Sequence, residues 1–249
     1  MSDQNPIRSL PSFAAWPAWK RWLALCRRPM RRAVRQFRDF PPFECRRVMD
    51  VGAHQGEFTQ AALDYYRPER VWLVEADQEL ASGLQQKFSS QPACKVIHAA
   101  IADTSGRVTF RINRHRASSS LLPISKRSTQ IFQKDLRETD VVTVPALALD
   151  DLFTQEKIDR LDLLKVDIQG AERLLIQGGQ RALQQVACIY IEVLFEELYE
   201  GCALFGEIDA LLRAADFKLR SFHELRTGPG GNLIYANTLY FQPGLLGRA

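Results

Sequence analysis

No stretch of this 249-residue chain approaches the roughly 20 consecutive apolar residues that a membrane-spanning helix needs. Near the N-terminus the only apolar run is Trp22 to Cys26. That is shorter than the roughly 7–15 residues of a signal-peptide core, so no signal peptide is expected. Cysteine is sparse, with five residues: Cys26, Cys45, Cys94, Cys188 and Cys202. The number is odd, no pair is spaced as CxxC, and none stands near a second cysteine and a histidine at zinc spacing. A disulfide framework and a zinc ribbon are therefore excluded, and reduced thiols in a cytoplasmic protein are expected. Two phosphate-binding signatures are also missing. There is no G-x-G-x-x-G fingerprint, and no Gly-Lys pair from which to build a P-loop.

The composition itself is that of a globular protein, 46% hydrophobic and 25% charged. A chain this long can bury a full core without disulfides or metal. The net charge of +4 is unevenly spread. Residues 1–47 carry eleven Lys/Arg against three acids, and the other 202 residues carry 22 bases against 26 acids. Within the basic part, Trp16, Trp19, Leu23, Cys26, Met30, Val34 and Phe37 fall at steps of three and four. That spacing makes one helical face, with arginines over much of the other. Pro29 should kink this helix, and Pro41-Pro42 marks a boundary. Residues 1–43 therefore read as a basic amphipathic extension and 44–249 as the main domain. Three uses of the extension compete: packing on the domain, peripheral contact with an anionic membrane through residues 16–40, and nucleic-acid binding. Nucleic acid is disfavoured, because the main domain is acidic and shows no RNA-binding module.

From Arg47 onward, short apolar runs alternate with helical patterns. Strands are expected at 47–51, 71–74, 95–101, 107–112, 141–144, 161–166, 186–193, 217–222 and 233–241. Helices are expected at 58–66, 78–88, 171–177 and 205–215, with a helical turn at 149–153 and a polar loop over 113–135. Strands separated by helices argue for a Rossmann-like, doubly wound, mostly parallel sheet. The last two strands are close in sequence, so one should be antiparallel.

The first strand runs into Asp50-Val51-Gly52-Ala53-His54-Gln55-Gly56-Glu57-Phe58. This is a strand, a glycine turn and a helix. Such a turn lies at the carboxyl edge of an open sheet, where ligands bind. The second strand ends in Val74-Glu75-Ala76, which places an acid where it accepts two ribose hydroxyls. An adenosine-containing ligand follows. Asp50 before the turn would repel a pyrophosphate but suit an ammonium and a sulfonium, a description that fits S-adenosylmethionine. Ile101 should pack on the adenine, with Asp103 holding its amino group or serving only as a turn residue before Ser105-Gly106.

Three stretches resemble the FkbM-type methyltransferases, a family of class I S-adenosylmethionine-dependent enzymes. They are Val48 to Gly56, Val74-Glu75-Ala76, and Leu163-Leu164-Lys165-Val166-Asp167-Ile168-Gln169-Gly170-Ala171-Glu172. The likeness runs from about residue 45 to 242. The Ser118–Ser120 run followed by Leu121-Leu122 looks like the family's middle loop and puts Ser119 and Ser120 on the substrate side. His54 and Gln169 depart from the family pattern, where Asn and Glu are common. The resemblance implies a seven-strand sheet. It also implies transfer of a methyl group to a hydroxyl of a sugar, glycan or secondary metabolite, with S-adenosylhomocysteine as product.

An alcohol nucleophile must lose its proton, and a carboxylate can take it. Asp167 ends the fourth core strand and Glu192 lies near the end of the next, so both acids can face one cleft. They are the candidates for acceptor orientation and proton removal. Asp167 could instead contact the cofactor's amine, and both acids could simply cap loops. Lys165 demands a partner, with Asp167 or Glu172 available, or else serves the substrate. Glu172 falls in the first turn of the following helix, where it either faces the substrate or only suits the helix dipole. His54 could act as a base or shape the turn, and His223 could line the acceptor pocket. No metal site is assigned: the Asp-Asn pair of metal-dependent catechol-type enzymes is missing, although Asp167 and Glu192 are hard oxygen ligands. The competing reading of the whole is a non-catalytic nucleoside-binding scaffold or membrane-surface adaptor with the same fold. An NAD-linked reductase lacks its fingerprint.

Overall fold

The computed structural model describes Phe37, Phe40 and residues 43–132, 134–228 and 230–245. The expected helix over 16–37 and the membrane contact through 16–40 lie outside these residues, Phe37 and Phe40 apart. Among the described residues no helix is long and apolar enough to cross a membrane.

The main sheet has seven strands. In chain order they are β1 (Arg47–Val51), β2 (Arg70–Glu75), β3 (Cys94–His98), β7 (Leu161–Val166), β8 (Val186–Leu194), β9 (Lys218–Thr227) and β10 (Leu233–Phe241), in spatial order β3-β2-β1-β7-β8-β10-β9. Every pairing from β3 to β8 is parallel, and β10 is antiparallel to both β8 and β9. All residues of β7 and β8 are buried, as expected of central parallel strands covered on both faces. The flanking helices are α1 (Glu57–Tyr65), α2 (Gln78–Lys87), α4 (Leu149–Glu156), α5 (Glu172–Gln177) and α6 (Phe205–Ala214).

Side-chain alternation divides the core in two. Met49, Val51, Leu164, Val166, Ile189 and Ile191 lie on one face with Leu149, Leu175 and Leu212. Val48, Leu163, Cys188 and Tyr190 lie on the other with Phe58, Leu84, Phe37 and Phe40. Asp50, Lys165 and Tyr190 share that second face, because Asp50 pairs with Lys165 and Lys165 with Tyr190 in register.

The expected strand 95–101 is two strands. It breaks at Ala99, and β4 (Ala100–Ala102) leaves for a second sheet with β5 (Gly106–Asn113) and β6 (Glu138–Ala148), in order β4-β6-β5. The β6 strand also extends beyond the expected 141–144. Pro145 does not end it: it pairs with Arg107 of β5, and pairing with β4 begins only at Ala146. The polar loop expected over 113–135 holds a short 3-10 turn (Arg116–Ser118) and α3 (Lys126–Phe132).

Candidate active site

The strand order reverses between β1 and β7, and a cleft of about 580 Å3 opens at the carboxyl ends of the strands there. Its floor is the glycine turn. Gly52 adopts φ +75°, and a Cβ there would sit 1.9 Å from the Asp167 carbonyl oxygen, so no other residue fits without displacing the neighbouring loop. The N–H groups of Gly52 and Ala53 both reach the Val74 carbonyl, at 3.0 and 3.1 Å, tying the turn to β2. Gly56 serves packing instead. It lies off the cleft, and a Cβ there would press on Phe88 and Leu84 of the α2 layer.

Glu75 lines the cleft at the end of β2. Its Oε2 accepts from the His54 N–H at 2.7 Å and its Oε1 from the Asp77 N–H at 2.9 Å. Burial pushes this carboxyl above the usual range, against the pull of the two N–H donors. Each oxygen keeps a second acceptor position. Asp77, buried beside it, caps α2 through Glu79 and Leu80 N–H and pairs with Arg116 at 2.9 Å. Ala76, Ala100, Phe110 and Leu121 pack together as an apolar wall, and Ile101 lines the cleft beside them.

Several expected residues sit elsewhere. Asp50 is fully buried and does not line the cleft. Its side chain faces α1, where Oδ2 accepts from Thr59 at 2.7 Å and Oδ1 lies 3.2 Å from the Lys165 ammonium. Its charge is thus matched inside the sheet, and the acidic residues that line the cleft are Glu57, Glu75, Asp77, Asp167 and Glu224. Asp103 is exposed and outside the cleft, because the break at Ala99 carries the chain away before that residue. Ser119 lines the cleft, whereas Ser120 is buried and donates to the Gln169 carbonyl at 2.7 Å.

Lys165 lines the cleft but finds a different main partner from those expected. Its ammonium donates to the Gly52 carbonyl at 2.7 Å and lies 3.8 Å from Asp167, with no ion pair to Glu172. Burial pulls the ammonium down, but Asp50 and Asp167 together outweigh it and hold it above the ordinary lysine value. Glu172 is buried off the cleft, where its Oε1 accepts from Ile168 N–H at 3.1 Å. Burial raises it to about 7 despite that bond.

Asp167 lines the cleft with its side chain 37% exposed. Glu192 lies on the same face but behind Gln169 and off the cleft. The Gln169 amide joins them, donating to Asp167 Oδ1 at 2.6 Å and to Glu192 Oε2 at 3.0 Å. The Tyr199 hydroxyl donates to Gln169 Oε1 at 2.7 Å and so fixes which end of the amide faces the acids. Burial, reinforced by Asp167 and Glu172, raises Glu192 well above the carboxylate range. His223 is off the cleft lining, with its ring against Phe40 and Tyr190 and its Nε2 2.8 Å from the Ser221 hydroxyl. Tyr190, Arg116, Glu224 and Asn237 line the cleft and were not anticipated. Tyr190 was legible in principle, since it stands two residues before Glu192 in an alternating strand.

The match that decides the family covers most of this architecture: the model of the methyltransferase FkbM domain fits residues 50–219. This chain belongs to the FkbM methyltransferase family. The match is narrower than the likeness read over 45–242 and leaves β10 outside. The 2-O-methyltransferase NoeI of Sinorhizobium fredii (strain NBRC 101917 / NGR234) is 25% identical over 160 residues, 62% of this chain and 65% of NoeI. The chain thus spans just under two thirds of that curated relative. The crystal structure of methyltransferase FkbM from Methylobacillus flagellatus KT shares the fold, with a TM-score of 0.53 at 17% identity. That alignment covers 84% of this chain and 47% of the other.

Proposed function

We propose that this FkbM-family chain is an S-adenosylmethionine-dependent O-methyltransferase acting on a hydroxyl of a sugar, glycan or secondary metabolite. The observation that carries the reading is Glu75, a buried carboxylate with two acceptor positions left over at the end of β2, beside a glycine turn that lacks a phosphate clamp. The residues present suit the cofactor. Glu75 would take the ribose hydroxyls, and the wall of Ala76, Ala100, Phe110 and Leu121 would receive the adenine. The cleft volume lies within the range of small-molecule sites. The name of the relative NoeI, a 2-O-methyltransferase, favours oxygen as the methylated atom.

When bound, the cofactor supplies a methyl group already activated by its sulfonium, so the protein's task is alignment and proton removal. Asp167 is the base. It reaches the cleft, and Gln169 holds one of its oxygens, so the other is presented in a fixed direction. It receives the hydroxyl proton as the acceptor oxygen takes the methyl carbon. Glu192, occluded by Gln169, orients that amide instead of meeting the acceptor. Calorimetry with S-adenosylhomocysteine tests the cofactor, and the expected affinity is in the micromolar range, on the order of 8 kcal/mol. Asp167→Asn should keep that binding and lower turnover by roughly 100-fold or more. Undiminished turnover would remove Asp167 as the base, and absence of any binding heat would remove the cofactor.

A further inference from the structure

Among the described residues, six non-glycine residues have positive φ: His54, Arg67, Lys157, Gln169, Asp216 and Glu224. Arg67, Lys157 and Asp216 stand at the ends of α1, α4 and α6, where a left-handed residue closes the helix. The other three, His54, Gln169 and Glu224, all line the cleft. His54 belongs to the glycine turn and Gln169 to the acid pair. Glu224 has no role in either.

Glu224 owes its conformation to a bulge. His223 pairs with Asn237 and Arg226 with Tyr235, so two residues of β9 oppose one of β10. The extra residue, with φ +49°, turns the Glu224 carboxylate to the same side as the preceding His223. There Oε2 accepts from the Asn237 amide at 2.9 Å, and the Tyr190 phenol, which burial and the nearby Glu224 carboxylate push above its ordinary value, lines the same cleft. The Tyr190 ring stacks on Phe58 at 6.1 Å. Strand β9, at the edge of the sheet away from β2 and Glu75, thus brings a carboxylate on a left-handed residue into the cleft beside the Asn237 amide and the Tyr190 ring.

We propose that Tyr190, Glu224 and Asn237 form the acceptor subsite and that it takes a neutral carbohydrate ring. This inference rests on the methyltransferase reading above and names the substrate class of that same cleft. Adjacent ring hydroxyls each donate and accept, which matches a carboxylate beside an amide. Glu224 and Asp167 on the same cleft would repel a phosphorylated acceptor. Glu224 and Asn237 stand on the β9–β10 hairpin beyond the family match at 50–219, while Tyr190 on β8 lies within it.

The test uses the full chain saturated with S-adenosylhomocysteine and saturation-transfer NMR. The probes are the methyl glycosides of glucose, mannose and galactose, the corresponding hexose 1-phosphates, and an aliphatic amine, cyclohexylamine. At least one neutral glycoside should bind. Glu224→Gln and Asn237→Ala should each weaken it roughly tenfold or more while leaving S-adenosylhomocysteine affinity within about twofold. Glycoside affinity unchanged in both variants would overturn the proposal. So would tighter binding of the phosphates or the amine, or no transfer to any glycoside by a chain that binds S-adenosylhomocysteine. A chain that fails to bind S-adenosylhomocysteine at all defeats the cofactor reading instead, which keeps the two failures apart.

Discussion

Replacing Glu75 by alanine is the sharpest test of the cofactor site. The wild-type carboxylate takes one N–H on each oxygen, from His54 at 2.7 Å and Asp77 at 2.9 Å. Its remaining acceptor positions are those a ribose diol would use. A hydrogen bond to a charged acceptor contributes roughly 1.5–3 kcal/mol, and water entering the truncated site recovers part of it. S-adenosylhomocysteine affinity should therefore fall by about 2–3 kcal/mol, or roughly 30- to 160-fold, by calorimetry. The substitution also orphans two N–H groups, so the unliganded protein should lose on the order of 1–3 kcal/mol in urea unfolding. Measuring both quantities separates lost ligand contacts from a loosened turn. Glu75→Gln should fall between, because its amide nitrogen must face one of the two N–H donors. A folded Glu75→Ala protein that binds S-adenosylhomocysteine within about threefold of wild type would refute the reasoning.

Gly52→Ala should damage the protein far more than Gly56→Ala, because the first meets a backbone carbonyl at 1.9 Å and the second meets side-chain ends that can move. Urea midpoints of the two variants decide this, and equal losses would contradict it. Lys165→Met removes the counter-charge of the fully buried Asp50 and should cost about 3–5 kcal/mol. Adding Asp50→Asn should restore much of it, and a double-variant cycle without coupling would count against the pair. The Glu172 carboxyl keeps its proton in the folded chain up to about pH 7, whereas the unfolded chain releases it near 4.5. Its contribution is complete below about pH 4.5 and is lost as pH rises through about 7, on the order of 3 kcal/mol. Glu172→Gln should flatten that decline between pH 5 and pH 8, and an unchanged slope in urea midpoints would exclude Glu172 as its source.

Strands were readable where β-branched, leucine and aromatic residues cluster between turn residues, whether buried on both faces as in Leu161–Val166 or on alternate positions as in Leu233–Phe241. Leu161–Val166 and Leu233–Phe241 appear with the boundaries expected of them. The break at Ala99 was not readable, since no glycine, proline or turn residue interrupts Cys94 to Ala102 while its two halves hydrogen-bond to different sheets. Within the cleft, Glu75 could be found because its place is set by chain order. Asp50 was misassigned because sequence fixes which face of β1 it takes but not that Thr59 and Lys165 fill the space before it. His223 stood in for Glu224 because simple alternation puts only one of two neighbours on the cleft side. A single inserted residue in β9 cancels that rule, and no residue type marks the insertion.

The antiparallel β10, threaded between β8 and β9, divides labour along the polypeptide. Everything that would grip the nucleoside is finished by Gln169, while the wall opposite is delivered by a hairpin that closes only at Phe241. Exchanging that terminal ribbon between relatives could therefore redirect such an enzyme to a new alcohol while its methyl source stays undisturbed.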